Sequence, residues 1–135
     1  MIPRDLQLVE LRPEIPSARV SENMSLDEQF QNKTLRPVAK LQDELLLEVF
    51  RNYTKKHKNK FYELKLEQRF IYIENAIQKD IKFRNSLKGI IIGQFTLDEY
   101  DAYIKNSSAL NKRMMNIVKE RLQSNIQLLE EEVAY

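Results

Sequence analysis

The sequence predicts an all-α fold, a single-domain bundle of five or six helices preceded by an extended N-terminal arm. Along most of the chain, apolar residues recur at intervals of three and four, which is helical spacing. Helix-start signals divide this pattern into segments, and no segment requires a β-strand. The chain has 135 residues, a length typical of one domain with one core.

Residues 1–24 are predicted to form the extended arm, and residues 25–135 the bundle. Pro3, Pro13 and Pro16 lie in the arm, and no helical period is sustained between them. Four apolar side chains are expected to dock the arm on the bundle or on a partner, namely Leu6, Leu8, Leu11 and Ile15. The alternative is a chain terminus that frays.

The first part of the bundle contains two helix-start signals. Ser25, followed three residues later by Glu28, has capping-box spacing and predicts a short helix toward Phe30. A second start is predicted at residues 34–37, because Pro37 is tolerated only in a first turn. That helix should run to about Lys56. Its apolar stripe comprises Leu35, Val38, Leu41, Leu45, Val49 and Tyr53, widened by Leu46 and Phe50.

Four further helical segments are predicted, at residues 62–79, 80–92, 97–105 and 109–131. Whether residues 62–92 form one helix or two stays open, because nothing between them is a strong breaker. The 97–105 helix is expected to turn Leu97, Tyr100 and Ile104 inward. The last helix should bury Leu110, Met114, Ile117, Leu122, Ile126 and Leu129, and fray at its acidic end, residues 130–132.

Residues 87–103 are predicted to form a structural corner of the bundle, and they contain the only two glycines. Gly93 is expected to end a helix with a positive φ, and Gly89 to mark close packing or a stop. Thr96 and Glu99 have capping-box spacing and should start the next helix.

The residue inventory argues against catalysis and metal binding. Cysteine is absent, and the single histidine, His57, lies in a lysine run with no carboxylate beside it. The corner has the glycine-to-glutamate spacing of an EF-hand exit, but its ligand positions hold Lys88, Ile90 and Ile92, which carry no oxygen donor. We therefore expect no catalytic residue, no cofactor and no metal. No signal peptide or membrane span is predicted either.

The net charge of +2 is unevenly distributed, with +7 in residues 51–88 and −3 and −2 in the flanking parts. The run containing Lys55, Lys56, Lys58 and Lys60 has two interpretations. Cations at a helix C-terminus complement the helix dipole, or they contact phosphates of a nucleic acid. The helix pair in residues 97–129 has helix-turn-helix proportions, which adds Lys112 and Arg113 as candidate anion or nucleic-acid contacts.

Two segments carry a resemblance to a known group of proteins, FQNKTLRPVAKLQDEL and FRNSLKGIIIGQFTLDEYDAYIKNSSALNKRMMNIVKERLQSN. They resemble a family of small, mainly helical bacterial proteins of uncharacterised function, some of which carry an automatic glyoxalase label. The resemblance covers most of the chain after about residue 25 and implies a helical fold. Glyoxalases use βαβββ modules with histidine and glutamate ligands on strands, and neither feature is present in this sequence.

These observations predict a cytoplasmic interaction or regulatory protein without catalytic activity. Its expected partner is another protein or a second copy of itself, in a homodimer. The first alternative is a nucleic-acid-binding regulator that uses the basic 51–88 region or the 97–129 helix pair. The second alternative, an enzyme of glyoxalase type, is disfavoured by the missing metal ligands and strand pattern.

Overall fold

The computed structural model describes residues 1–130, and in that range the chain is all-helical. The all-α prediction is confirmed, with seven helices in the described range instead of five or six. One of them, α2, joins Leu26–Phe30, a π-helical turn at Gln31–Leu35 and Arg36–Leu41 without a break. The others are α1 (Pro3–Leu11), α3 (Asp43–Lys56), α4 (Leu66–Lys79), α5 (Ile81–Ile92), α6 (Leu97–Ile104) and α7 (Ser107–Ser124). Short 3-10 turns lie at Lys60–Glu63 and Ile126–Leu128.

The π-helical turn explains why a helix start at residues 34–37 was a wrong prediction. Leu35 keeps helical backbone angles (φ −64°, ψ −46°), so the helix passes through the predicted boundary. The backbone N–H of Arg36 donates to Gln31 O, five residues back, and this wider turn precedes Pro37. A proline inside an α-helix clashes with the carbonyl four residues earlier, and widening the turn relieves that clash. The Ser25 cap is confirmed, because its hydroxyl accepts from Glu28 N (3.1 Å).

A break at Gln42 shifts the predicted apolar stripe. Its backbone leaves the helical region (φ −93°, ψ 5°), which separates α2 from α3 and rotates the face that α3 presents to the core. Leu45, predicted to lie inside, is 47% exposed, whereas Leu46 is 1% exposed. The Gln42 side chain donates to Ile90 O (3.2 Å), which ties this break to α5.

Residues 62–92 contain two helices, α4 and α5, which answers the question that the sequence left open. Asp80 has an extended backbone (φ −91°, ψ 99°), and its side chain accepts from Phe83 N (3.2 Å) as the N-cap of α5. Aspartate is a strong capping residue, so Asp80 was the helix-start signal in this stretch.

The core is organised around α7, which packs against α2, α3, α4 and α5. Its predicted inward residues Leu110, Met114, Ile117 and Leu122 are buried. An aromatic cluster completes the core beside α3, formed by Phe50, Tyr53, Phe61, Tyr72 and Phe83. The helix ends at Ser124, short of the predicted residue 131. Fraying at residues 131 and 132 lies outside the described residues.

The inward face predicted for α6 was wrong. Leu97, Tyr100 and Ile104 are 57%, 47% and 54% exposed, and Tyr103 is buried instead. The helix is turned this way because Glu99, on the same side as Tyr103, is held against the bundle by long-range hydrogen bonds. Periodicity in eight residues could not reveal that constraint.

The N-terminal arm is partly helical, contrary to the prediction of an extended chain. Pro3 lies in the first turn of α1, where its missing N–H costs nothing, and the helix ends before Pro13. Its only buried residue is Asp5, while Leu6 and Leu11 are exposed. The arm therefore docks through charged groups, and Leu6 and Leu11 are not its anchors, whereas Leu8 and Ile15 are half-buried.

Candidate functional site

A cleft of about 850 Å³ lies where the end of α3, the turn that follows it and the α4–α5 junction meet. We call it the lysine cleft, because five exposed lysines line it, namely Lys56, Lys58, Lys60, Lys79 and Lys82. Its other lining side chains include Tyr53, Tyr72, His57, Asn75 and Asp80.

The lysine cleft concentrates the positive charge of the chain. With His57 neutral, five lysines and one aspartate give a formal charge of +4, whereas the whole chain carries +2. Among residues 1–130, no carboxylate lies within ion-pair distance of any of these five ammonium groups. Like charges gathered in one cleft repel each other, so an anion bound there would lower the energy of the arrangement.

An unusual turn brings two of the lysines to the cleft. Lys58 and Asn59 both have left-handed backbone angles, with φ of 63° and 57°. Asparagine adopts this conformation readily, but a lysine held there costs about 1 kcal/mol or more. The turn is held by the N–H of Asn59, which donates to Thr54 O (2.9 Å), and by that of Lys58, which donates to Lys55 O (3.1 Å).

The floor of the cleft contains a hydrogen-bonded pair without nucleophilic character. Tyr53 donates its hydroxyl to Asp80 Oδ2 (3.1 Å), and burial followed by this bond raises the pKa of Tyr53 to about 12. The bond from the Phe83 backbone, with smaller help from Tyr53, lowers the pKa of Asp80. At neutral pH the phenol is therefore a neutral donor, and the carboxylate accepts one hydrogen bond on each oxygen. A raised pKa does not activate Tyr53 as a nucleophile.

The structure brings together only some of the predicted anion contacts. Lys56, Lys58 and Lys60 share the lysine cleft, whereas Lys55 does not line it. Lys112 is exposed on α7 in a separate groove. Arg113 is half-buried, and its guanidinium donates to Gln31 Oε1 (3.0 Å) of α2, so it ties two helices together.

The sequence interpretation did not name Lys79 and Lys82 as contacts, although both lie in the basic 51–88 region. They lie about 20 residues beyond the lysine run, and only the fold of α4 and α5 back along α3 brings them to it. The available sequence signal was their position on either side of Asp80. A helix junction at Asp80 allows the side chains of both lysines to lie on the same side of the protein.

At the structural corner, the predicted capping box is confirmed and the predicted glycine geometry is wrong. Glu99 N donates to Thr96 Oγ1 (3.1 Å), and Thr96 N donates to Glu99 Oε1 (2.8 Å). Gly93 has a right-handed φ of −60°, so no left-handed conformation requires glycine there. A Cβ at Gly93 would instead lie 3.0 Å from Gly89 O, and this close approach favours glycine. Gly89 marks neither close packing nor a stop, because a Cβ there meets nothing within 4 Å and α5 continues past it.

Glu99 also forms an ion pair that the sequence did not indicate. Both guanidinium Nη atoms of Arg12 donate to its two carboxylate oxygens at 2.7 Å, and Thr34 Oγ1 donates to Oε2 (2.8 Å). Burial favours protonation of Glu99, but the hydrogen bonds from Arg12, the Thr96 backbone and Thr34 outweigh it and lower its pKa. The group is a part-buried structural lock between the arm and α6.

The arm also caps two helix ends at this corner. Arg4 donates to Phe95 O (2.9 Å) and Gly93 O (3.0 Å), at the C-terminal end of α5 where the helix dipole is negative. Asp5 accepts from Leu97 N (3.2 Å) at the positive N-terminal end of α6. The corner is therefore occupied by the chain itself.

No group of three or more His, Cys, Asp or Glu side chains that could hold a metal occurs in residues 1–130. Over the same residues, no helix combines the length and apolarity needed to cross a membrane. Comparison with models of protein families, with characterised proteins and with solved structures finds no match to this chain. The resemblance to a helical bacterial family stays a prediction.

Proposed function

We propose that the protein is a non-catalytic, cytoplasmic nucleic-acid-binding protein that holds phosphates in the lysine cleft. The observation that carries this proposal is the convergence of Lys56, Lys58, Lys60, Lys79 and Lys82 on one cleft with a formal charge of +4. The leading expectation from sequence was a protein-interaction role. The clustering of lysines from separate elements is the reason to place nucleic acid first.

Phosphate suits the donors that the lysine cleft offers. Each ammonium group presents three N–H donors and no acceptor, and charge-assisted bonds to phosphate oxygens are about twice as strong as neutral ones. The one carboxylate, that of Asp80, already accepts from Tyr53 and Phe83 N. Its single negative charge offsets only one of the five lysines, which leaves the cleft at +4.

The proposal predicts a definite salt dependence. Neutralising one phosphate of a single strand contributes about −0.7 to the slope of log K against log salt, so five lysines give about −3.5. Fluorescence anisotropy with a labelled oligonucleotide over a salt series measures this slope. Absence of binding at low salt would contradict the proposal.

A charge-matched pair of variants separates the lysine cleft from general surface charge. The Lys58→Gln/Lys60→Gln/Lys79→Gln protein should lose about tenfold or more in affinity, and its slope should fall by about 2 units. The control removes three exposed lysines outside the cleft, Lys33, Lys40 and Lys105. Equal losses in the two proteins would contradict the assignment of the cleft.

A second candidate function, self-association, is supported by the outward face of α6. Leu97, Tyr100 and Ile104 are exposed at helical spacing on one side of this helix. Light scattering on a sizing column should then show a dimer at micromolar concentrations, and Leu97→Ser/Ile104→Ser should restore the monomer. Leu66→Ser/Leu128→Ser, which removes two exposed leucines elsewhere, is the control. A wild-type protein that stays monomeric would reject this candidate.

A further inference from the structure

A second cationic groove of about 490 Å³ lies between α5 and α7. Arg84 and Lys88 of α5 and Lys112 of α7 line it, and no acidic side chain does. Its remaining lining residues are uncharged, including the amide side chains of Gln78, Asn111 and Asn116. We call it the α5–α7 groove, and its formal charge is +3.

The α5–α7 groove and the lysine cleft lie on two sides of the same helix junction. Ala76 and Lys79 line the cleft, whereas Ile77 and Gln78, between them in sequence, line the groove. Arg84 follows Lys82 by two residues, and its guanidinium donates to Gln78 O (3.3 Å) across the junction. The turn between α4 and α5 is therefore a shared wall with cations on both sides.

We propose that one single strand of nucleic acid crosses the α4–α5 turn and places phosphates in both the lysine cleft and the α5–α7 groove. This inference rests on the proposed function and adds the form of the ligand and a second site. Its minimum ligand is an oligonucleotide, because one nucleotide cannot supply phosphates on both sides of the turn. On α5 alone, Lys82 and Lys88 are about 9 Å apart along the helix axis.

The bent path favours a single strand over a duplex. Double-stranded DNA has a persistence length of about 50 nm, so it cannot bend around the turn between α4 and α5 without a large bending energy. A single strand bends freely, and its unpaired bases can stack on aromatic side chains. Tyr72 lines the lysine cleft at the edge of the aromatic cluster, where its ring is half-buried.

Lys88 and Lys112 are the residues that distinguish this proposal from binding in the lysine cleft alone. Both line the groove, and neither makes an ion pair within 4.0 Å with another residue of the described range 1–130. Arg84 is unsuitable as a probe because its bond to Gln78 O also supports the turn.

The test measures affinity against oligonucleotide length, using single strands from about 4 to about 16 nucleotides, the range of site sizes seen for single-strand-binding folds. Lys88→Gln/Lys112→Gln should bind the shortest strand as the wild type does. For the longest strand it should bind several-fold more weakly, with a salt slope lower by about 1.4. A duplex of the same length should bind the wild type more weakly than the single strand does. Lys40→Gln/Lys105→Gln is the charge-matched control.

The outcomes separate this inference from the proposed function. If Lys88→Gln/Lys112→Gln matches the wild type at every length while the lysine-cleft triple variant loses binding, the cleft stands and the second site is rejected. A loss that is equal for short and long strands, or tighter binding of the duplex, also rejects it. Because Lys88 is half-buried, the double variant could misfold; in that case the single variant Lys112→Glu, at an exposed position, replaces it and should weaken binding of the longest strand only.

Discussion

Replacing Arg12 with methionine tests the lock that holds the N-terminal arm to α6. The variant keeps an apolar side chain of similar length but removes the paired bonds to Glu99 and the bond to Gln94 O, all at 2.7 Å. The side chains of Arg12 and Glu99 are only 8% and 15% exposed, so water cannot replace the lost partner well.

The expected loss is about 3 kcal/mol of unfolding free energy. Removing one partner of a buried ion pair costs about 3–5 kcal/mol, because the remaining charge stays buried. The lower end of this range applies to Arg12→Met because Glu99 keeps two hydrogen bonds, from Thr34 Oγ1 and from Thr96 N. Arg12 Nε, which is buried without a partner, contributes no bond that could be lost.

The loss should depend on pH in a defined direction. The hydrogen bonds overcome burial and hold the pKa of Glu99 below its ordinary value of 4.5, so this carboxylate stabilises the fold above that value. The stabilisation disappears as pH falls through the lowered pKa, because protonation of Glu99 then accompanies unpairing. The difference between wild type and Arg12→Met should therefore shrink in acid.

Urea unfolding at neutral pH, and again about 1.5 pH units below 4.5, measures both effects. Arg19→Met is the matched control, since this arginine lies in the same arm and its guanidinium makes one exposed bond to Pro16 O (3.3 Å). Its cost should stay within about 0.5 kcal/mol. Equal stability of the Arg12 and Arg19 variants would refute the lock. A loss that is unchanged in acid would refute the part assigned to the Glu99 charge.

Three further predictions concern the core, the corner and the cleft floor. Phe50→Ala should cost about 3–5 kcal/mol in urea unfolding because Phe50 is fully buried in the aromatic cluster, whereas Leu45→Ala should stay within about 0.5 kcal/mol. Gly89→Ala should stabilise the protein by about 0.5–1 kcal/mol and raise Tm by about 2–5 °C, because its Cβ meets open space inside a helix; a lower Tm would contradict this. The phenolate absorbance of Tyr53, taken as the difference between wild type and Tyr53→Phe, should rise near pH 12 instead of pH 10, and the stability that the raised pKa provides should be lost over that interval. A normal titration near pH 10 would show that burial and the bond to Asp80 do not hold the phenol protonated.

The predictions that held depend on hydrogen bonds within one helical turn. Ser25 with Glu28, and Thr96 with Glu99, are three residues apart, so their spacing alone brings each side-chain oxygen to a backbone N–H. Reasoning from residue spacing failed where the backbone could adopt more than one conformation. Gly93 is compatible with left-handed and right-handed conformations, and only the fold showed that it is right-handed.

The inward face of α6 shows the limit of periodicity in a short helix. Leu97, Tyr100 and Ile104 have the spacing of a buried stripe, but all three are exposed. The helix is oriented by Glu99 and its bond to Arg12, a residue 87 positions earlier in the chain. No local pattern contains that information.

The sequence by itself determined the helical class, the Ser25 cap, the Thr96–Glu99 capping box and the excess of basic charge in residues 51–88, because each follows from neighbouring residues or from composition. The tertiary structure alone decided which of those basic side chains line the same cleft. Lys60 and Lys79 are separated by a whole helix, and the fold of α4 and α5 back along α3 brings them to one cleft. A helix start depends on hydrogen bonds a few residues long, whereas a binding surface depends on how complete helices pack. That packing joined part of the predicted lysine run to Lys79 and Lys82, and left Lys112 on a second groove.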